Sequence, residues 1–189
     1  MRASVDAAYF DRLYARSEDP WGFATSEYER EKYRETLRML GGNRFRSGLE
    51  LGCSIGALTA MLAPFCDRLL AVDVSLRALA TARRRCRGQR QVRFAQMNVP
   101  RELPAGRFDF VLVSEIGYYW SDADLDAAIE RIAALAHGVM VELVHFLPPV
   151  AEHVRSGDDV HQAFLAHPQF EPVDGVRRER YRVDVMRVR

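Results

Sequence analysis

The apolar positions of this chain change period along its length, and the changes mark out its organisation. Over residues 5–16, Phe10, Leu13 and Tyr14 fall on one side of a helix. Pro20, in "EDPWGF" (18–23), disfavours helix at the residue before it and ends that element. A second helix is predicted from about Ser26 to Leu40, with Tyr33, Leu37 and Leu40 on one stripe, and "GGN" (41–43) stops it. From there short apolar runs alternate with helical stripes. "GLELG" (48–52) reads as a strand and 56–65 as a helix. Residues 68–74 form the next strand, and Ser75 can cap a helix in which Leu79, Ala82 and Cys86 share a face. "QVRFAQM" (91–97) alternates as a strand does, whereas "FDFVLVS" (108–114) is apolar on both faces except at Asp109, as a central parallel strand should be. Ser121 with Asp124 resembles a capping box for a helix carrying Leu125, Ile129, Ile132 and Ala136. Residues 138–146 make a fifth strand, and a helix near 157–166 and strands at about 169–174 and 179–188 close the chain.

Strand–helix alternation of this kind predicts an α/β fold, a doubly wound and mostly parallel sheet with helices on both faces. Ligands then bind outside the carboxyl ends of the strands. Those ends carry Glu50–Gly56, Asp73, Asn98, Glu115 and His145, which make one polar rim.

Composition narrows the function without naming it. A length of 189 residues suits one domain spanning 1–189, and 48% hydrophobic with 28% charged residues is an ordinary soluble balance. A net charge of +1 argues against a dedicated nucleic-acid binder. The Arg-rich stretch 82–93 reads as a solvated helix end, where cations complement the carbonyl dipole. No apolar run approaches the ~20 residues that span a bilayer, and the N-terminus does not read as a signal peptide. Three cysteines, Cys53, Cys66 and Cys86, with no CxxC, suggest neither a disulfide framework nor a metal site, and a reducing cytoplasm is the natural home. Cys53 reads as a small residue in a tight turn, since no local His or Arg would activate a thiol.

The turn after the first strand, Gly52-Cys53-Ser54-Ile55-Gly56, fits neither the dinucleotide G-x-G-x-x-G nor a P-loop. Asp73, 21 residues after Gly52, ends the next strand, where an acid can accept hydrogen bonds from two ribose hydroxyls. A ribose acceptor with no pyrophosphate cradle points to a nucleoside.

"ELGCSIGALT", "AVDVS" and "FDFVLVSEIGYYW" together resemble the motifs of class I S-adenosylmethionine-dependent methyltransferases. The front end "DPWGFATSEYEREKYRETL" with "SEIGYYW" is similar to the nodulation-protein-S group of N-methyltransferases, from about residue 9 to the C-terminus. The resemblance implies a seven-stranded Rossmann-like methyltransferase sheet with an antiparallel last strand. It also implies S-adenosyl-L-methionine as cofactor and residues 1–41 as a helical lid. Glu50 and Gly52, with Cys53 and Gly56 of the same turn, would lie by the methionyl part. Asp73 with Val74 would hold the ribose, and Asn98 with Val99 the adenine. Glu115 would lie beneath the transferring methyl. Trp21, Arg30 and Tyr33 become candidates to cover the cofactor. Ser54 departs from the pattern, standing where the commonest motif has a glycine.

The chemistry suits these residues. Aromatic faces attract a sulfonium by ~0.5–2 kcal/mol, and Trp21, Tyr118, Tyr119 and Trp120 could supply them or could serve only as core. An amine acceptor must lose a proton, and base help is worth about 10²–10⁴-fold. Glu115 and His145 are the candidates, with His161 a third, and Tyr118 beside Glu115 joins the catalytic set. The expected acceptor is a small molecule, an amino sugar or an oligosaccharide as in Nod factor synthesis. The alternatives are a small-metabolite O-methyltransferase and a binding module that holds the cofactor without transferring its methyl. Glu115 and the aromatic loop favour an enzyme.

Overall fold

The computed structural model describes residues 2–135, 138 and 140–189. Two helices, α1 (Ala7–Arg16) and α2 (Glu27–Met39), precede the sheet. The strands are β1 (Gly48–Leu51), β2 (Leu69–Asp73), β3 (Val92–Gln96), β4 (Phe110–Ser114), β5 (Met140–Phe146), β6 (Phe170–Arg177) and β7 (Tyr181–Val188). Between them lie α3 (Ala57–Leu62), α4 (Leu76–Arg85), α5 (Asp122–Leu135) and α6 (Gly157–Ala166). The strand order is β3-β2-β1-β4-β5-β7-β6. β1 to β5 pair in parallel, while β7 runs antiparallel to β5 and β6. The expected seven-stranded sheet with its antiparallel last strand is the one found.

Alternation along the central strands sends side chains to two cores. Leu49, Leu51, Val111, Val113, Val141 and Leu143 face α5 and α6. Phe110, Leu112, Val144 and Val185 face α2 and α3, where Tyr33, Met39, Leu58 and Leu62 cover them. The predicted elements differ from the observed ones mainly at their ends. The helix expected over 56–65 stops at Leu62 and finishes as a 3₁₀ turn, Ala63–Phe65, because Pro64 has no N–H for a further α-helical bond. Ser75 caps α4 as expected, accepting from Ala78 N–H. Ser121 accepts from Asp124 N–H at 3.2 Å, but the Asp124 carboxylate takes the Ser4 hydroxyl instead of closing the box. Ser4 Oγ accepts the Ser121 N–H at 2.7 Å, so the N-terminal segment completes the cap. Ala136, placed on the α5 stripe from sequence, lies outside the described residues.

The first switch in strand order falls at β1, where β2 and β3 lie to one side and β4 and β5 to the other. The N-terminal segment closes over this point. Val5 N–H donates to the Tyr119 carbonyl at 2.9 Å, and Tyr14 packs against Ile55 and Ala78. Among the described residues no helix is long and apolar enough to cross a membrane.

Candidate active site

Two glycines shape the turn after β1, for different reasons. At Gly52 φ is +84°, and a Cβ would lie 2.3 Å from Ile116 Cγ2 and 2.6 Å from the Ser114 carbonyl. Only glycine fits where the ends of β1 and β4 converge. At Gly56 φ is +75°, and a Cβ would lie 2.9 Å from that of Ala82. Gly56 therefore lets α3 start hard against α4, and it does not line the cavity.

Between them Ser54 also adopts a left-handed φ, +49°. That turn aims its N–H at Asp73 Oδ2 (2.8 Å), while Ser75 N–H reaches Oδ1 (2.9 Å). Each oxygen keeps a lone pair, so the carboxylate can still accept two hydrogen bonds. Burial pushes the Asp73 carboxyl up to about 6, against the pull of the Ser75 and Ser54 N–H groups.

Asp73 lines a cavity of about 410 Å³ at the carboxyl ends of the strands. On the β2–β3 side its wall is Val74, Met97, Asn98 and Val99, with Phe10 from α1, a largely apolar slot beside the Asn98 amide, with Arg101 paired to Asp124 (3.5 Å) further along the lining. On the β4–β5 side it is Glu115, Tyr118, Phe146 and His153, with Tyr28, Glu29 and Lys32 from α2 and Arg180 from the β6–β7 turn. Trp21 lines it too, edge-on to Tyr14 (5.6 Å) and stacked on Phe23 (5.4 Å).

Glu115 stands at φ +56°, a backbone strain that non-glycine residues carry mostly at functional sites. Its Oε2 accepts from the Tyr118 hydroxyl (2.7 Å) and the Phe146 N–H (2.8 Å). Its Oε1 pairs with the buried ammonium of Lys32, which also reaches Glu29 at 2.9 Å. Three of the carboxylate's roughly four acceptor positions are thus taken. Burial pulls the Lys32 ammonium down, but Glu115 and Glu29 outweigh it and the net shift is upward. Burial raises the Glu29 carboxyl and Lys32 offsets part of that rise. One ammonium against two carboxylates leaves the buried cluster itself with one negative charge in excess, while the Arg180 guanidinium sits apart from it, over the rings of Tyr28 (4.0 Å) and Phe146 (5.6 Å).

The structure thus brings together Trp21, Gly52, Asp73, Val74, Asn98, Val99, Glu115 and Tyr118 of the residues expected from sequence. Others lie apart. Glu50 points into the core beneath α2 and α3, since its neighbours Leu49 and Leu51 face the other way. Cys53 packs with Ala71 and Leu79. Tyr33 is buried in the α2–α3 core, and Arg30 lies on the solvent face of α2, paired with Glu27 at 2.6 Å.

His145 is the clearest correction. It is fully buried, does not line the cavity, and has both nitrogens engaged. The Gly117 N–H donates to Nε2 (3.1 Å), so the proton of a neutral ring sits on Nδ1 and donates to His161 Nε2 (3.1 Å). His161 in turn donates from Nδ1 to Asp184 (2.6 Å). Burial holds both imidazoles below their ordinary pKa. This chain pins the Gly117–Tyr119 turn and leaves neither ring free to serve as a base.

Sequence reading missed Lys32, Glu29 and His153. Glu29 and Lys32 share the face of α2 that carries buried Thr36, a polar stripe beside the apolar one. At i,i+3 spacing such a pair looks like a solvated surface bridge, and only its burial shows otherwise.

A sequence profile for the family described as Nodulation protein S (NodS) matches residues 10–141. Nodulation protein S of Bradyrhizobium diazoefficiens is 35% identical over 120 residues, 62% of this chain and 57% of that protein. The protein of the same name from Sinorhizobium fredii is 32% identical over 121 residues, 63% of this chain and 56% of its own length. The match therefore spans a little over half the length of these curated relatives. The crystal structure of N-methyltransferase NodS from Bradyrhizobium japonicum WM9 in complex with S-adenosyl-L-homocysteine is similar with a TM-score of 0.85 at 26% identity, over 96% of this chain and 97% of that one. Magnesium protoporphyrin IX methyltransferase from Synechocystis, with a TM-score of 0.73 at 14% identity over 100% of both chains, shares the fold.

Proposed function

Since the chain belongs to the nodulation protein S family, we propose that it transfers a methyl group from S-adenosyl-L-methionine to the amine of a de-N-acetylated amino sugar or chitooligosaccharide, as in Nod factor synthesis. The observation that carries this reading is one cavity with Asp73 on the β2–β3 side and the Glu29–Lys32–Glu115 cluster on the other.

The cavity suits such a cofactor on its own chemistry. The Asp73 carboxylate, held by two N–H groups and open toward the cavity, is built to accept two vicinal hydroxyls. Asn98 and the apolar slot of Val74, Met97, Val99 and Phe10 fit a flat base with an exocyclic amine. When bound, the cofactor supplies an electrophilic methyl on a cationic sulfonium. The protein's task is orientation, which can be worth roughly 7–11 kcal/mol, and a field that tolerates a cation moving from one side of the site to the other. The two carboxylates that share the single ammonium of Lys32 contribute that field locally, with the Arg180 guanidinium turned onto the Tyr28 and Phe146 rings. The open position on Glu115 Oε1 can accept an N–H from the acceptor and aim its lone pair. Glu115 then orients, and does not take up the proton as first expected from sequence.

Residues 1–41 act in this reading as a lid. Trp21, Phe10, Tyr14, Tyr28 and Lys32 all come from it and enclose the cavity. The buried cysteines and the balanced charge suit a cytoplasmic enzyme acting on a small molecule.

Incubation with methyl-labelled S-adenosyl-L-methionine and a panel of glucosamine, its β-1,4-linked oligomers and their N-acetylated forms tests this. Label should enter only acceptors with a free amine. Transfer to fully N-acetylated sugars would favour an O-methyltransferase, and binding without any transfer would favour a cofactor-holding module.

A further inference from the structure

His153 lies on the loop between β5 and α6, lines the cavity and is half-buried. Its ring lies face to face on Tyr118, with centroids 3.7 Å apart and 13° between planes, and Tyr119 meets its edge at 5.1 Å. The backbone holds it there. The His153 N–H donates to the Val150 carbonyl (3.1 Å), the Val154 N–H donates to the Tyr118 carbonyl (2.8 Å), and Arg2 reaches the His153 carbonyl (3.1 Å). Among the described residues no protein group hydrogen-bonds either ring nitrogen. His153 is thus fixed in place yet uncommitted, beside the tyrosine whose hydroxyl holds Glu115. His145, whose ring meets that of Tyr118 edge-to-face with centroids 5.3 Å apart, is committed at both nitrogens.

We propose that His153 takes the proton from the acceptor amine, an inference that rests on reading the chain as an N-methyltransferase. The acceptor arrives as an ammonium, drawn by Glu29 and Glu115. One N–H bond breaks, its electron pair stays on nitrogen, and the proton passes to the imidazole. The freed lone pair forms the new N–C bond as the methyl's bond to sulfur breaks, with that pair leaving on sulfur as a neutral thioether. The product is an N-methyl ammonium, and the imidazolium returns its proton to water.

The surroundings suit both halves of this cycle. Burial lowers the His153 pKa below 6.5, which keeps the resting ring neutral near pH 7, while the Glu115 and Glu152 carboxylates favour the imidazolium once formed. The other titratable groups near it are the hydroxyls of Tyr118 and Tyr119, which burial raises and so keeps protonated, and neutral His145, in edge contact with Tyr118. The Arg2 guanidinium bonds its carbonyl.

The test uses His153→Phe, which keeps a ring on Tyr118, and His153→Gln, with S-adenosyl-L-homocysteine affinity by calorimetry as the check on folding. Both variants should bind that product as the wild type does and turn over about 10²-fold slower or worse near neutral pH. Their acid limb should move up to the amine's own pKa, so the deficit narrows as pH rises. A deficit equal at every pH or an unshifted acid limb would overturn the proposal while leaving N-methylation intact. A wild type that binds the cofactor product but methylates no amine would overturn the enzyme reading itself, and this assignment with it.

Discussion

Lys32 is the cation at the centre of the buried Glu29–Glu115 cluster. It is 1% exposed and its only ionic partners among the described residues are Glu29 and Glu115. Removing one member of a buried ionic cluster leaves the others without compensation, which typically costs about 3–5 kcal/mol. Lys32→Met should therefore lower the unfolding free energy by about that amount in urea titrations at pH 7, and far more than the same change at exposed Arg30. An effect of similar size at both positions would remove Lys32 from its place in the site. At this scale Asp73, Gly52, Glu115 and Tyr118 were legible because each lies at or just after a strand end, where the sequence pattern fixes position. Lys32 and His153 were not. A lysine on a helix and a histidine on a loop carry no local signal of burial or of facing a cavity.

The contact between α1 and the turn after β1 ties the N-terminal segment to the Asp73 side of the cavity. Ser54 and Ser75 each donate a backbone N–H to Asp73, and their hydroxyls reach Tyr14 and Asp11 on α1. A second tie lies just beyond, where Glu18 accepts from Thr81 and Arg84. Ser54→Gly separates the two functions of one residue. Glycine relieves the left-handed backbone, worth about 1–2 kcal/mol, and keeps the N–H to Asp73, but it deletes the hydroxyl under Tyr14. Hydrogen exchange should show residues 7–23 losing protection in the variant, with α3 and α4 unchanged. Adding S-adenosyl-L-homocysteine should protect this stretch in the wild type and restore it only partly in the variant. Unaltered exchange across α1 would show that the hydroxyl contributes nothing to the lid. The elements themselves were legible from apolar period, Gly and Pro. The docking of α1 was not, because its hydrogen bonds join residues some 40 to 64 positions apart.

At the scale of the whole molecule, the sheet carries two acids in its interior. The register aligns Glu50 with Leu112 and Leu112 with Glu142, so both acids face α2 and α3 in one row. Among the described residues neither makes a well-formed hydrogen bond. Burial pushes the Glu50 carboxyl up to about 7, against a smaller pull from Thr59, and raises Glu142 well above its ordinary value. A carboxyl with a raised folded pKa binds its proton more tightly folded than unfolded. Its stabilising contribution is complete below the unfolded value near 4.5 and is lost as pH rises toward 7. For Glu50 the loss is on the order of 3 kcal/mol. His145 and His161, held low by burial, pull the opposite way as pH falls below 6.5. The difference between wild type and Glu50→Gln isolates the acid. Urea unfolding of the ligand-free chain should show the variant's advantage growing from pH 4.5 to 7, and a constant difference would mean that Glu50 does not titrate in that window.

The sequence by itself determined the order of strands and helices, the parallel centre of the sheet, the turn that must be glycine at Gly52, and the strand-end positions of Asp73, Asn98 and Glu115. These follow from period, from backbone sterics and from the rule that strand ends converge on a ligand, all of which act over a few residues. Tertiary structure alone decided which face of α2 meets the cavity, that His145 is committed to Gly117 and His161, and that the ring nitrogens of His153 meet no partner among the described residues. It also decided that Glu50 turns inward although its neighbour Gly52 lines the site. Each of these depends on burial and on hydrogen-bond partners brought from distant parts of the chain. A local pattern shows what a side chain can do, and only packing determines which other groups it meets.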